Sequence, residues 1–154
     1  MKLLILILSI AFFFQSCKNH TKKDSQTTQQ PSTDTVLQIE NFTIWPEEVM
    51  GCSCYSSKNK EDFRSQRYLV IDDYFSKALI KVNGKTETLN LVSNDTLNSK
   101  KERLKIWKND NFELRVETYE IDAIDEIWVH EGILKLTSNN EQTFETAIFG
   151  HCGC

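Results

Sequence analysis

The chain has 154 residues, 18 basic against 22 acidic, with a formal charge of −4 and five cysteines. That length allows one domain with a core of its own. A mildly acidic balance does not recommend nucleic acid or an anionic lipid surface as partner.

The N-terminus, MKLLILILSIAFFFQS (1–16), is a basic start followed by an apolar run from Leu3 to Phe14. At about 12 residues the run is shorter than the roughly 20 a spanning helix takes, and it reads as an export signal. Ser16 directly precedes Cys17 in FQSC. The segment resembles the bacterial lipoprotein signal, in which the cysteine after the apolar stretch becomes the lipidated first residue. Ser16 and Cys17 carry the likeness; Phe14 is bulkier than the residue usual there. The resemblance implies removal of 1–16 and acylation of Cys17. It also implies a membrane partner reached through the N-terminal lipid, with the domain on the extracytoplasmic side of the cell membrane or outer membrane. Cysteine arithmetic agrees, because five is odd for an exported chain and lipidation of Cys17 leaves four. Without Lys2, 17 of the 18 basic residues remain against 22 acidic ones, a formal −5.

Residues 17–35 read as the lipidated cysteine and a flexible tether. KNHTKKDSQTTQQPSTDT (18–35) has no large apolar residue with which to offset ordering entropy. The domain is expected over 36–154. VLQIENFTIW alternates, Val36, Gln38, Glu40 and Phe42 against Leu37, Ile39 and Asn41, until Pro46. SSKNKEDFRS (56–65) predicts one polar helical turn, and RYLVIDDYF (67–75) a strand. Asn83-Gly84 predicts a two-residue type I′ hairpin turn, because both central positions need positive φ. Val82 then faces Lys85, Ile80 faces Glu87 and Ala78 faces Leu89. SNDTLNSKKE (93–102) reads mostly as a loop. RLKIW (103–107) and FELRVETY (112–119) make a second hairpin, with Phe112, Leu114 and Val116 on one face. EIWVH (126–130) with Glu131-Gly132, ILKLTS (133–138), the turn Asn139-Asn140 and TFETAIFG (143–150) complete the pattern. Short strands with Asn/Gly turns indicate an all-β fold, an antiparallel barrel or sandwich of about 7–9 strands.

The thiols form two Cys-x-Cys pairs, Cys52 and Cys54 in MGCSCYSS, Cys152 and Cys154 in GHCGC. In a strand, i and i+2 share a face, so each pair offers two sulfurs on one side. In an oxidising compartment such thiols become disulfides. Antiparallel neighbours would give Cys52–Cys154 with Cys54–Cys152, the preferred pairing; parallel neighbours would give Cys52–Cys152 with Cys54–Cys154. Closing a loop of about 100 residues removes roughly 4–5 kcal/mol of unfolded-chain entropy in the simplest treatment, which favours a structural clasp. Two alternatives stand beside it. Cys52, Cys54, Cys152 and Cys154, with His151, are chemically enough for Zn²⁺ or Cu(I), although metal knuckles usually place two residues between cysteines. A strained bond within CGC would be an oxidant.

Other candidates are ordinary. His130 beside Glu131 is not a natural acid–base pair, since neighbours on a strand face opposite ways, and it reads as a surface histidine at a strand end. Asp72-Asp73 and Glu47-Glu48 read as one exposed residue and one near a turn. The aromatic residues Trp45, Trp107, Trp128, Tyr55, Tyr68, Tyr74 and Tyr119 are core by default, with a ligand pocket as the alternative. If Leu104 and Ile106 face the core, Trp107 faces out and could anchor a partner.

SKALIKVNGKTETLNLV (76–92), with Ala78, Gly84 and Leu89, resembles a stretch of the small lipoprotein inhibitors of C-type lysozyme. That likeness implies a β-barrel with terminal cysteines and a lysozyme partner. The Ser-Gly pair followed by tyrosine that forms the family's inhibitory loop is absent from 92–107. No nucleophile–base motif appears in the sequence and no cofactor is expected. The functional expectation is therefore a lipid-anchored cell-envelope β domain with a binding or structural role, whose partner is an envelope protein or a ligand. Metal handling and lysozyme inhibition are the alternatives.

Overall fold

The computed structural model describes residues 36–154. The signal 1–16, Cys17 and the tether 17–35 lie outside the described residues. From Ser53 onward the chain forms eight antiparallel strands, each paired with the next, and the last closes on the first. They are β1 Ser53–Ser57, β2 Val70–Asp72, β3 Lys77–Val82, β4 Lys85–Thr96, β5 Glu102–Lys108, β6 Phe112–Ile124, β7 Ile127–Ser138 and β8 Thr143–Gly153. A single-turn helix, α1 (Lys60–Arg64), joins β1 to β2 and is capped by Asn59, whose side chain accepts from the Asp62 N–H. The all-β expectation holds, in its barrel form.

The β3–β4 hairpin follows the sequence residue for residue. Ala78, Ile80 and Val82 face Leu89, Glu87 and Lys85. Asn83 and Gly84 take φ of 52° and 75°. The 103–107 and 112–119 hairpin also forms, as β5 and β6.

Elsewhere the boundaries differ. SNDT (93–96) continues β4, so the loop is confined to 97–101. IWVH (127–130) and ILKLTS (133–138) belong to one strand, and Glu131-Gly132 runs straight through it. Gly132 is needed there for proximity: a Cβ would sit 1.9 Å from the Glu117 carbonyl oxygen of β6. The predicted strand over 67–75 shrinks to Val70–Asp72.

The interior is unequal along the barrel axis. At the end that carries the β3–β4 and β7–β8 turns, it is packed by Ile80, Val82, Leu89, Leu114, Leu134, Leu136 and Ile148. Leu37 and Ile39 of the N-terminal segment join this core, while Val36 is exposed. The segment attaches by isolated bridges from Glu40 to Lys81 and from Phe42 to Tyr68 rather than as a strand. Phe42 and Val49 then cover Ile71 and Leu79 on the outside of β2 and β3. An aromatic cluster of Trp45, Tyr55, Tyr68, Phe63, Phe149 and His151 extends this outer layer beneath α1. At the other end, the apolar filling stops at Trp107.

Candidate ligand site in the barrel mouth

Beyond Trp107 the barrel opens into a cavity of about 390 Å³. Eight strands enclose an interior just wide enough to be filled by side chains or to hold one small ligand. Here the packed half takes the first option and the mouth leaves room for the second. The volume lies in the usual range for small-molecule sites, roughly 300–1,000 Å³.

Register explains which residues line it. Ser56, Gly150 and His130 are cross-strand partners on β1, β8 and β7, and Glu120 of β6 faces His130. One step nearer the rim, Asp72, Cys54, Cys152 and Trp128 form a second row. β5 contributes Arg103, Lys105 and Trp107. Two bulges complete the wall. Register shifts between Leu91 and Ser93 and between Glu120 and Asp122, which leaves Val92 and Ile121 unpaired and partly exposed. Each bulge reverses the in–out alternation beyond it. Asn94 is thereby turned into the cavity alongside Lys105, its partner on β5.

The two disulfides are Cys52–Cys154 and Cys54–Cys152, the antiparallel pairing. Cys54 and Cys152 are direct partners on β1 and β8, and their bond forms part of the cavity wall. This corrects the metal alternative: sulfurs bonded to one another offer no thiolate. His151 points to the outer aromatic cluster, its ring 4.4 Å from that of Phe63. Among the described residues, no group of three or more His, Cys, Asp or Glu is placed to hold a metal ion. The redox alternative, a bond within CGC, is corrected likewise.

His130 is not the surface residue that its sequence context suggests. It is 6 % exposed and forms a 2.8 Å hydrogen bond between Nε2 and Ser56 Oγ. Its Nδ1 lies 3.8 Å from Cys152 Sγ. A disulfide sulfur has no hydrogen to donate. The arrangement that satisfies both ring nitrogens therefore puts the proton on Nδ1 and lets Nε2 accept from the Ser56 hydroxyl. Gly150 makes this contact possible, because a Cβ there would lie 2.4 Å from Ser56 Oγ and 2.6 Å from His130 Nε2. Burial, with His151 and Lys105 nearby, lowers the His130 pKa to about 4, so the ring is neutral at pH 7. Glu131 faces outward and pairs with Lys60 at 3.1 Å.

Asp72 is also buried, and it pairs with Lys105 at 3.2 Å. Burial pushes its carboxyl upward; Lys105 and the Tyr74 N–H act against that rise. The Lys105 ammonium lies 5.4 Å from both the Trp107 and the Tyr74 ring centroids, within cation–π reach of each. Asp73 takes the turn role expected of the doublet, accepting from the N–H groups of Phe75, Ser76 and Lys77. Those bonds outweigh its desolvation and hold its pKa below the usual value. Trp107 is 2 % exposed and lines the interior, so the outward placement is reversed: Arg103, Lys105 and Trp107 are the inward residues of β5. Trp128 and Tyr74 also line the cavity, as the pocket alternative requires.

A buried Ser–His contact invites comparison with a nucleophile and its base. The third member, a carboxylate that orients the imidazole, is replaced here by the disulfide sulfur. The hydroxyl belongs to a residue that is 3 % exposed. The arrangement is suited to fixing a polar wall, and the fold and site together define a closed eight-stranded barrel with a ligand-sized polar–aromatic mouth. No protein-family model, curated protein or solved structure matches the chain.

Proposed function

We propose that this protein is a lipid-anchored cell-envelope binding domain that takes a small ligand into its barrel mouth without transforming it. The observation that carries the reading is the mouth itself: a ligand-sized cavity walled by Trp107, Trp128 and Tyr74, with polar groups converging from β1, β2, β5 and β7. A few placed polar groups in an aromatic-lined concavity are the usual composition of a binding site. Two disulfides suit the oxidising compartment beyond the membrane, and the FQSC signal suits a lipid anchor there. Ala78, Gly84 and Leu89 are all used to build the β3–β4 hairpin, so lysozyme inhibition gains no separate support from them. The test is a thermal-shift screen of small molecules on the exported protein and on Thr118→Trp, which fills the cavity. Ligands should raise the melting temperature of the wild type and leave the variant unmoved. A screen with no hits would overturn the binding reading, and hits that survive Thr118→Trp would place binding elsewhere.

A further inference from the structure

We infer that the mouth selects a small organic anion, a carboxylate or phosphate group carried on a flat apolar ring, and that Arg103 and Lys100 receive the anionic group. The inference rests on the binding reading above and narrows it to a ligand class.

Two acidic residues, Asp72 and Glu120, line the cavity against four basic ones, Lys100, Lys101, Arg103 and Lys105. The chain as a whole is acidic, at −4. The mouth therefore reverses the sign of the molecule. Its two carboxylates are both engaged. Asp72 holds Lys105 at 3.2 Å, and Glu120 lies 3.8 Å from Lys101. Among the described residues, neither Arg103 nor Lys100 has a carboxylate within ion-pair distance. Arg103 spends one N–H on the Thr96 hydroxyl, which orients its guanidinium across the β4–β5 rim. The remaining N–H groups keep the fork geometry that matches a carboxylate or phosphate oxygen pair. Both side chains are solvent-exposed, so an arriving anion meets them before it meets the interior.

The rest of the cavity sets the body of the ligand. Trp107 forms the floor, and Trp128 and Tyr74 stand on the wall with ring centroids 6.5 Å apart. Flat apolar surfaces of this kind take a ring rather than a hydrated ion. The deep polar groups are already matched in pairs, Ser56 with His130 and Asp72 with Lys105. They leave the rim cations as the unmatched charge. Clefts lined by one sign of charge also raise the local concentration of the opposite ion and speed its arrival.

The experiment uses the exported full chain carrying Cys17→Ser, labelled with ¹⁵N. The probes are benzoate and phenyl phosphate, with benzamide and benzyl alcohol as neutral counterparts. The indole N–H signals of Trp107 and Trp128 report on the mouth. Trp45 donates to the Val49 carbonyl outside the barrel and serves as the internal control. We expect one or both anions to shift Trp107 and Trp128 with at least tenfold higher affinity than the neutral probes. Arg103→Gln with Lys100→Gln should remove that preference while neutral binding persists. Response to benzoate alone would mark a carboxylate ligand, and response to phenyl phosphate alone a phosphate monoester. Equal affinity for charged and neutral probes, or undiminished anion binding in the double variant, would overturn the anion inference and leave the binding reading standing. Silence of Trp107 and Trp128 toward every probe would overturn both.

Discussion

Replacing His130 with glutamine should flatten the acid dependence of stability. An ordinary histidine titrates at 6.5, and burial carries His130 to about 4. Between those values the unfolded chain takes up a proton that the folded chain refuses. The unfolded state then binds more protons, so stability rises with pH across this window and falls as pH drops through it. Each tenfold difference in proton affinity corresponds to about 1.4 kcal/mol, and the displacement is therefore worth about 3 kcal/mol between pH 6.5 and 4. Glutamine can keep a polar atom near Ser56 Oγ but cannot titrate. Urea unfolding of wild type and His130→Gln at intervals from pH 7.5 to 4 would isolate the effect, because Asp72, Asp73 and His151 are common to both. The wild type should lose about 3 kcal/mol more than the variant over that range, with the loss concentrated below pH 6.5. Parallel stability curves would refute the reasoning and show that His130 is solvated or pairs with a carboxylate when charged.

Gly150→Ala should destabilise by about 1–3 kcal/mol in denaturant unfolding, because its Cβ meets the Tyr55 carbonyl at 2.3 Å and backbone cannot yield as a side-chain tip can. Cys152→Ser with Cys154→Ser should cost about 2–5 kcal/mol, and non-reducing peptide mapping of the wild type should link 52–54 to 152–154. Asp72→Leu with Lys105→Met should be near neutral or stabilising, whereas Lys105→Met alone, which strands a buried carboxylate, should cost about 3–5 kcal/mol; equal effects of the single and double changes in thermal melts would refute this. Cys17→Ser should release the protein from the membrane fraction, and a wild-type protein already soluble, with another N-terminus by mass spectrometry, would contradict the lipid anchor.

The parts of this fold that could be read in advance are those in which local chemistry decides. Asn83-Gly84 fixes its hairpin because few other dipeptides accept positive φ at both positions. Cys-x-Cys fixes two sulfurs on one face because strand periodicity is two. The site was hidden by the same periodicity. In β5, Leu104 and Ile106 are the apolar pair, so a reader assigns them to the core and expels Arg103, Lys105 and Trp107. The reverse holds because a barrel has two surfaces and this one spends its polar residues inside the mouth. Arg103, Lys105, Ser56, Asp72 and His130 could not be grouped from sequence, since their convergence depends on closure between β1 and β8. One signal was available. A strand that alternates two basic residues and a tryptophan against leucine and isoleucine is amphipathic with a charged face, and charge on a tryptophan-bearing face is a pattern of ligand sites as much as of solvent. The bulges at Val92 and Ile121 left no comparable trace, and without them the alternation cannot be carried to the rim.

The position of the clasp now has a physical reason. A barrel is weakest where its first and last strands meet, because that pairing closes the longest loop and β1 contributes only five residues to it. In the packed half, Ile148 of β8 lies in the apolar core with Leu134 and Leu136 of β7. In the mouth half that cohesion is missing, because the interior there is a cavity bordered by Ser56, His130 and the Asp72–Lys105 pair. A buried ion pair adds little net stability, and an unfilled cavity forfeits the dispersion contacts that packing would supply. Both disulfides cross the β1–β8 seam in this half, at Cys54–Cys152 and at the chain end, Cys52–Cys154. Covalent closure thus stands where hydrophobic closure would require filling the mouth. On this argument the clasp and the cavity are linked features: a side chain that fills the mouth should make the disulfides less necessary to stability, and an empty mouth is tolerable because the seam beside it cannot open.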